Sequence, residues 1–116
     1  MSRRLLLRGV AAFNAGRFLT AHEIWEPVWN ETVGEEKRFV QGLVQLAAGY
    51  LKLSSAQYLG ALKLLTRGCQ TLRTYPPLYA GLQISLLSEA SLTVIRQLEL
   101  GRTETDIQLP QIQTVS

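Results

Sequence analysis

Apolar residues return every three or four positions through most of the chain, a period that marks helices rather than strands. Leu5, Leu6, Val10 and Phe13 predict a first helix over about residues 3–14, with Gly16 in Asn14-Ala15-Gly16 as the left-handed residue that stops it. Phe18, Ala21, His22, Trp25, Val28, Trp29 and Thr32 share one face of a second helix over about 18–32, ended by Val33-Gly34. Pro27 lies inside it, removes one backbone hydrogen bond and crowds the carbonyl of Glu23, so a kink or short break is expected there. A third helix over about 35–54 opens with Glu35-Glu36 at its positive end and is apolar on nearly every side, with Gln41, Gln45 and Lys52 as its polar strip. Such a helix belongs at the centre of a fold. Its Gly42 and Gly49 each cost about 1 kcal/mol of helix propensity, which predicts a close crossing by another helix. Tyr58, Ala61, Leu62, Leu65, Cys69 and Leu72 predict a fourth helix over about 56–74, stopped at Tyr75-Pro76-Pro77. After a loop containing Gly81, a fifth helix runs over about 84–100 and closes at Gly101. The pattern predicts an all-α fold: a single antiparallel bundle of about five helices over residues 1–101, a buried third helix, and a polar, flexible tail over 102–116.

One echo runs through this pattern. Gly16-Arg17-Phe18-Leu19-Thr20-Ala21 and Ala56-Gln57-Tyr58-Leu59-Gly60-Ala61 share small-x-aromatic-x-x-Ala at a spacing of 40. Two copies are too few for a solenoid, so the echo is taken as packing logic shared by two helix hairpins.

Composition narrows the class. A length of 116 residues allows one core, and 47% hydrophobic with 18% charged residues is a globular balance. A single cysteine, Cys69, leaves no intrachain disulfide, and a reducing, cytoplasmic setting is expected. Arg8 interrupts the short apolar run at the start, against a signal peptide. No stretch reaches the roughly 18–20 apolar residues of a membrane span. The net charge of +3 hides blocks: four arginines and no acid in 1–17, five glutamates and no base in 18–36, six Lys/Arg and no acid in 37–73. Neighbouring helices are expected to neutralise one another. The basic residues form no stripe and no stacking aromatics interleave with them, so a nucleic-acid partner is not expected.

The only histidine, His22, sits on the apolar stripe, one turn before Glu26 and near Trp25 and Trp29. At i, i+4 the side chains of His22 and Glu26 meet, while Glu23 points about 100° away. Three readings compete. In the first, Glu26, Gln41 or Gln45 satisfies a buried imidazole and the cluster ties helix 2 to helix 3. In the second, the same groups with Trp25 or Trp29 line a ligand pocket. In the third, His-Glu-x-x-Glu binds a metal; a catalytic zinc asks for three protein ligands, and no second histidine is present. No serine sits in a nucleophile-elbow context, so a hydrolase lacks its nucleophile.

The segments Phe13-Asn14-Ala15-Gly16-Arg17-Phe18, Ala21-His22-Glu23-x-x-Glu26 with Trp29, and Gln41-Gly42-Leu43-Val44-Gln45-Leu46-Ala47-Ala48 resemble the DUF309 family of small bacterial and archaeal helical proteins. Gly81-Leu82 also fits, and the resemblance covers roughly residues 8–82. It implies an all-helical fold of unassigned activity, with His22, Glu23, Glu26, Trp29, Gln41, Gly42 and Gln45 as motif residues. The resulting expectation is a small binding or interaction module, without catalytic residue, metal or cofactor, whose polar cluster is His22, Glu23, Glu26, Trp29, Gln41 and Gln45. Its partner would be a protein, a small molecule or a second copy of the chain, away from any membrane. The alternative is a hydrolase-like or metal-dependent enzyme using His22 and Glu26.

Overall fold

Short turns set the architecture. In a computed structural model that describes residues 1–115, the helices are α1 (Arg3–Asn14), α2 (Phe18–Glu31), α3 (Gly34–Ser54), α4 (Tyr58–Leu72) and α5 (Ile84–Glu99). Links of two or three residues join the first four, so each helix folds back on the one before it. α3 packs against both α2 and α4, and α4 against α5. The all-α bundle with α3 at its centre therefore matches the periodicity.

The echo in the sequence is an echo in the backbone. Gly16 (φ +75°) and Ala56 (φ +56°) both occupy the left-handed region. After each, the chain returns an N–H into the preceding helix, Arg17 to the Ala12 carbonyl and Gln57 to the Lys52 carbonyl, both at 2.9 Å. These bonds cap the helix ends. Ala21 and Ala61, five residues beyond each turn, are both fully buried, as close helix packing requires.

Pro27 does not break α2, which continues from Phe18 to Glu31. Its ring is on the exposed side, and so is Glu23, whose carbonyl the missing N–H would have engaged. Water can serve that carbonyl.

The predicted close crossing at Gly42 and Gly49 is present between α3 and α4. A Cβ at Gly42 would stand 2.9 Å from the Leu72 side chain, and one at Gly49 would stand 2.8 Å from the Leu65 side chain and 3.0 Å from its backbone nitrogen. The core centres on Phe13, Phe18, Trp25 and Tyr50, whose rings meet at centroid distances of 5.1 to 6.2 Å. The Tyr50 hydroxyl and Ser91 Oγ share a buried hydrogen bond of 2.7 Å that joins α3 to α5. Burial raises the Tyr50 pKa well above its ordinary value, against the opposing effect of that bond.

Two features depart from the sequence expectation. The loop around Gly81 is a small hairpin, β1 (Leu78–Tyr79) with β2 (Leu82–Gln83), turned by Ala80 (φ +53°) and Gly81 (φ +77°). Positive φ at both central residues suits a tight two-residue hairpin turn. The segment after Gly101, expected as a flexible tail, lies packed along the bundle. Ile107 and Ile112 enter the core, and Asn14 grips Ile112 through both of its backbone groups, at 2.7 and 3.0 Å. Gln83 N–H donates to the Gln113 carbonyl and Val115 N–H to the Gly81 carbonyl, so the segment runs beside β2. The Tyr58 hydroxyl donates to the Glu104 carboxylate; that bond raises the Tyr58 pKa and lowers that of Glu104. Two isolated isoleucines among polar residues carry no helical period, which is why the pattern did not reveal them.

The charge blocks do not resolve into pairs. Among the described residues the only ion-pair contacts are the Met1 amino group with Glu36 at 3.4 Å and His22 with Glu26. No lysine or arginine side chain is in one.

Candidate functional site

α2 has a core face and a flank. Phe18, Ala21, Trp25 and Val28 are buried, and His22, Glu26 and Trp29 follow beside them at i, i+4 and i+7. On α3, Gln41, Val44 and Gln45 occupy adjoining positions of one strip. Together these six residues line a groove of about 300 Å³ between the two helices. The groove lies at the low end of the ~300–1,000 Å³ common for small-molecule sites.

His22 Nδ1 lies 3.3 Å from Glu26 Oε2, and the two side chains are 29% and 55% exposed. The imidazole is therefore not a sealed core group. Among the described residues neither Gln41 nor Gln45 hydrogen-bonds it. Two of the lining residues carry a buried polar atom without a partner among the described residues, Trp29 Nε1 and Gln45 Oε1. One is an obligate donor and the other a carbonyl acceptor of a side-chain amide. An unpaired buried polar atom costs about 1–3 kcal/mol, and two residues of one groove carry one each. Lys37 Nζ stands 4.2 Å from the centre of the Trp29 ring, a cation–π contact that fixes the indole from one side.

The structure thus brings together five of the expected residues: His22, Glu26, Trp29, Gln41 and Gln45. It leaves Glu23 exposed and outside the groove lining. Trp25 belongs to the core, fully buried, with its N–H donated to the Leu6 carbonyl at 3.1 Å. Val44 and Lys37 were not foreseen. Val44 sits one turn from Gln41 on the same strip, which the spacing could have shown; Lys37 reaches Trp29 across helices, which no spacing shows.

The groove offers a donor, two amides, an imidazole and a carboxylate. It contains no hydroxyl or thiol nucleophile, and among the described residues no three His, Cys, Asp or Glu side chains gather as metal ligands. The one thiol, Cys69, lies in the core facing Ser88, and burial pushes its pKa up to about 11 against the pull of Arg73, so it stays protonated at neutral pH.

No curated protein matches the chain. No described helix is long and apolar enough to cross a membrane. The family profile described as a domain of unknown function, DUF309, matches residues 6–64, a span that takes in most of α1, all of α2 and α3 and the whole groove but not Gly81-Leu82. Covering half of the sequence, that match makes the chain a member of the DUF309 family.

Proposed function

We propose that the protein is a small-ligand-binding module whose site is the α2–α3 groove. The observation that carries this reading is the pair of unpartnered buried atoms, Trp29 Nε1 and Gln45 Oε1, in two residues that line a concave and partly open space. A core that only needed to hold two helices together would have paired or dispensed with them. The fitting ligand is a small polar molecule with an acceptor for the indole N–H and a donor for the amide carbonyl. His22 and Glu26 stand at the open side, where they select for polar substituents.

The two indole N–H resonances of ¹⁵N-labelled protein provide the test, because Trp29 lines the groove and Trp25 is sealed in the core. Screening small carboxylates, amides and amino acids should find compounds that move the Trp29 indole and the Gln41 and Gln45 side-chain amides and leave the Trp25 indole in place. Hits that disturb both indoles alike, or none that reach Trp29, would refute the reading.

A second reading is favoured by the exposed His22–Glu26 contact: an enzyme in which His22 exchanges a proton with substrate and Glu26 orients the ring. It requires turnover that vanishes in a folded His22→Ala variant while binding at the groove persists.

A further inference from the structure

We infer that the chain has a second ligand site, for a small organic anion, in the groove between the end of α4 and the exposed face of α5. This space, of about 690 Å³, shares no lining residue with the α2–α3 groove and is formed wholly by residues beyond the matched segment 6–64. Ser85, Ser88, Glu89, Leu92 and Arg96 fall at spacings of three and four along α5, so one helix face supplies its floor. Arg73, just past the end of α4, supplies the opposite wall.

Two observations point to an anion. The first is electrostatic. Arg73 and Arg96 both line the groove, both are exposed, and among the described residues neither has an acidic group within ion-pair distance, Glu89 included. Two guanidiniums on one concavity repel each other and present ten N–H donors in planar forks, the geometry that matches phosphate and carboxylate. The second is a buried hydroxyl. Ser88 is only 2% exposed, and its Oγ has no hydrogen-bond partner among the described residues. Its backbone carbonyl receives the Cys69 thiol at 3.8 Å. Two cations on its walls suit the groove to an oxyanion, and Ser88, whose hydroxyl is unpartnered, belongs to its lining. Glu89 then has a different task. Unpaired with either arginine, it is free to accept hydrogen bonds from a hydroxyl or amine of the same ligand. That asks for an organic anion, such as a phosphate ester or carboxylate bearing hydroxyl or amino groups, rather than a bare inorganic ion.

The experiment is an amide NMR titration of the full chain at constant ionic strength, with O-phospho-L-serine and inorganic phosphate as probes. O-phosphoserine should give saturable shifts along residues 85–96 with a Kd of about 1 mM or tighter, while the Trp29 indole stays in place. Inorganic phosphate should bind more weakly. Arg96→Gln and Arg73→Gln, both at exposed positions, should fold normally and each weaken binding about tenfold or more. Ser88→Ala should weaken binding and leave the melting temperature equal or higher, since it removes an unpaired buried hydroxyl. No saturation by about 20 mM, shifts reproduced by sodium chloride, or binding unchanged in the arginine variants would overturn the site. Phosphate binding as tightly as O-phosphoserine would overturn its assignment to an organic ligand.

Discussion

Trp25 and Trp29 lie one turn apart on the same helix and lead opposite lives. Trp25 is enclosed, stacks near Phe13, and has its N–H satisfied by the Leu6 carbonyl of α1. The backbone of α1 approaches it so closely that Gly9 has no room for a side chain: a Cβ there would stand 2.0 Å from Trp25 Nε1. Trp29 is only partly covered, its N–H has no partner among the described residues, and its ring is held by a surface lysine. A rotation of about 40° around α2 separates a residue that organises the core from one that borders a groove. A satisfied polar tip belongs to structure, and the proposed binding role rests on the unsatisfied one in a groove-lining residue.

The largest test of that contrast is truncation. Trp25→Ala should lose about 3–5 kcal/mol in urea unfolding, enough to threaten folding at 37 °C. Trp29→Ala should lose about 1 kcal/mol, because its ring is only partly covered. Similar losses from the two would erase the distinction. Next comes the contact itself. Gly9→Ala gains about 1 kcal/mol of helix propensity yet must push a locked indole aside and strain its hydrogen bond, for a net loss of about 1–3 kcal/mol. The Trp25 indole resonance should move with it and the Trp29 resonance should not. A stabilising Gly9→Ala would mean that α1 and Trp25 separate easily.

How much of this was legible in the sequence differs by kind of interaction. Helices α1, α2, α3 and α5 fall within a residue of their expected ends and α4 within two, because burial on one face writes a 3.6-residue period directly into the chain. The spacing His22, Glu26, Trp29 and the strip Gln41, Gln45 located the groove for the same reason. What the spacing could not give was the state of those groups. A stripe position reads as buried whether the side chain is sealed, like Trp25, or at the flank, like His22 and Trp29; the angle at which α3 crosses decides. Glu23 shared the motif but faces solvent, since motif membership carries no direction. The segment after Gly101 was misjudged because two isoleucines and one asparagine side chain hold it, contacts that are far apart in sequence and leave no local trace. The expected neutralisation of charge blocks failed as pairing because helix adjacency does not bring long side chains to within 4 Å of one another.

A smaller effect sharpens the contrast on the groove side. Gln45→Leu replaces an amide whose buried oxygen has no partner with an apolar side chain of similar size. Stability should stay level or rise by up to about 1 kcal/mol, while any ligand that moves the Trp29 indole should lose its affinity. A stability loss of 2 kcal/mol or more would show that the amide serves the helix interface after all and would move Gln45 from the ligand to the fold.

The smallest expected effect is also the one that separates the readings of His22 most directly. If the imidazole depended on Glu26 inside the protein, Glu26→Ala would strand a buried polar ring and cost about 1–3 kcal/mol. The pair instead sits at 3.3 Å on the open side of the groove, with Glu26 more than half exposed. An exposed i, i+4 pair contributes about 0.3–0.5 kcal/mol and less in high salt. Glu26→Ala should therefore shift the urea midpoint by an amount close to experimental error, and half-molar salt should remove even that. The same substitution should alter which polar compounds bind the groove, because it removes the carboxylate that orients His22 toward them. A variant as stable as the parent but changed in ligand preference places Glu26 with the ligand. A destabilised variant with unchanged preference would return the His22–Glu26 pair to the architecture of α2.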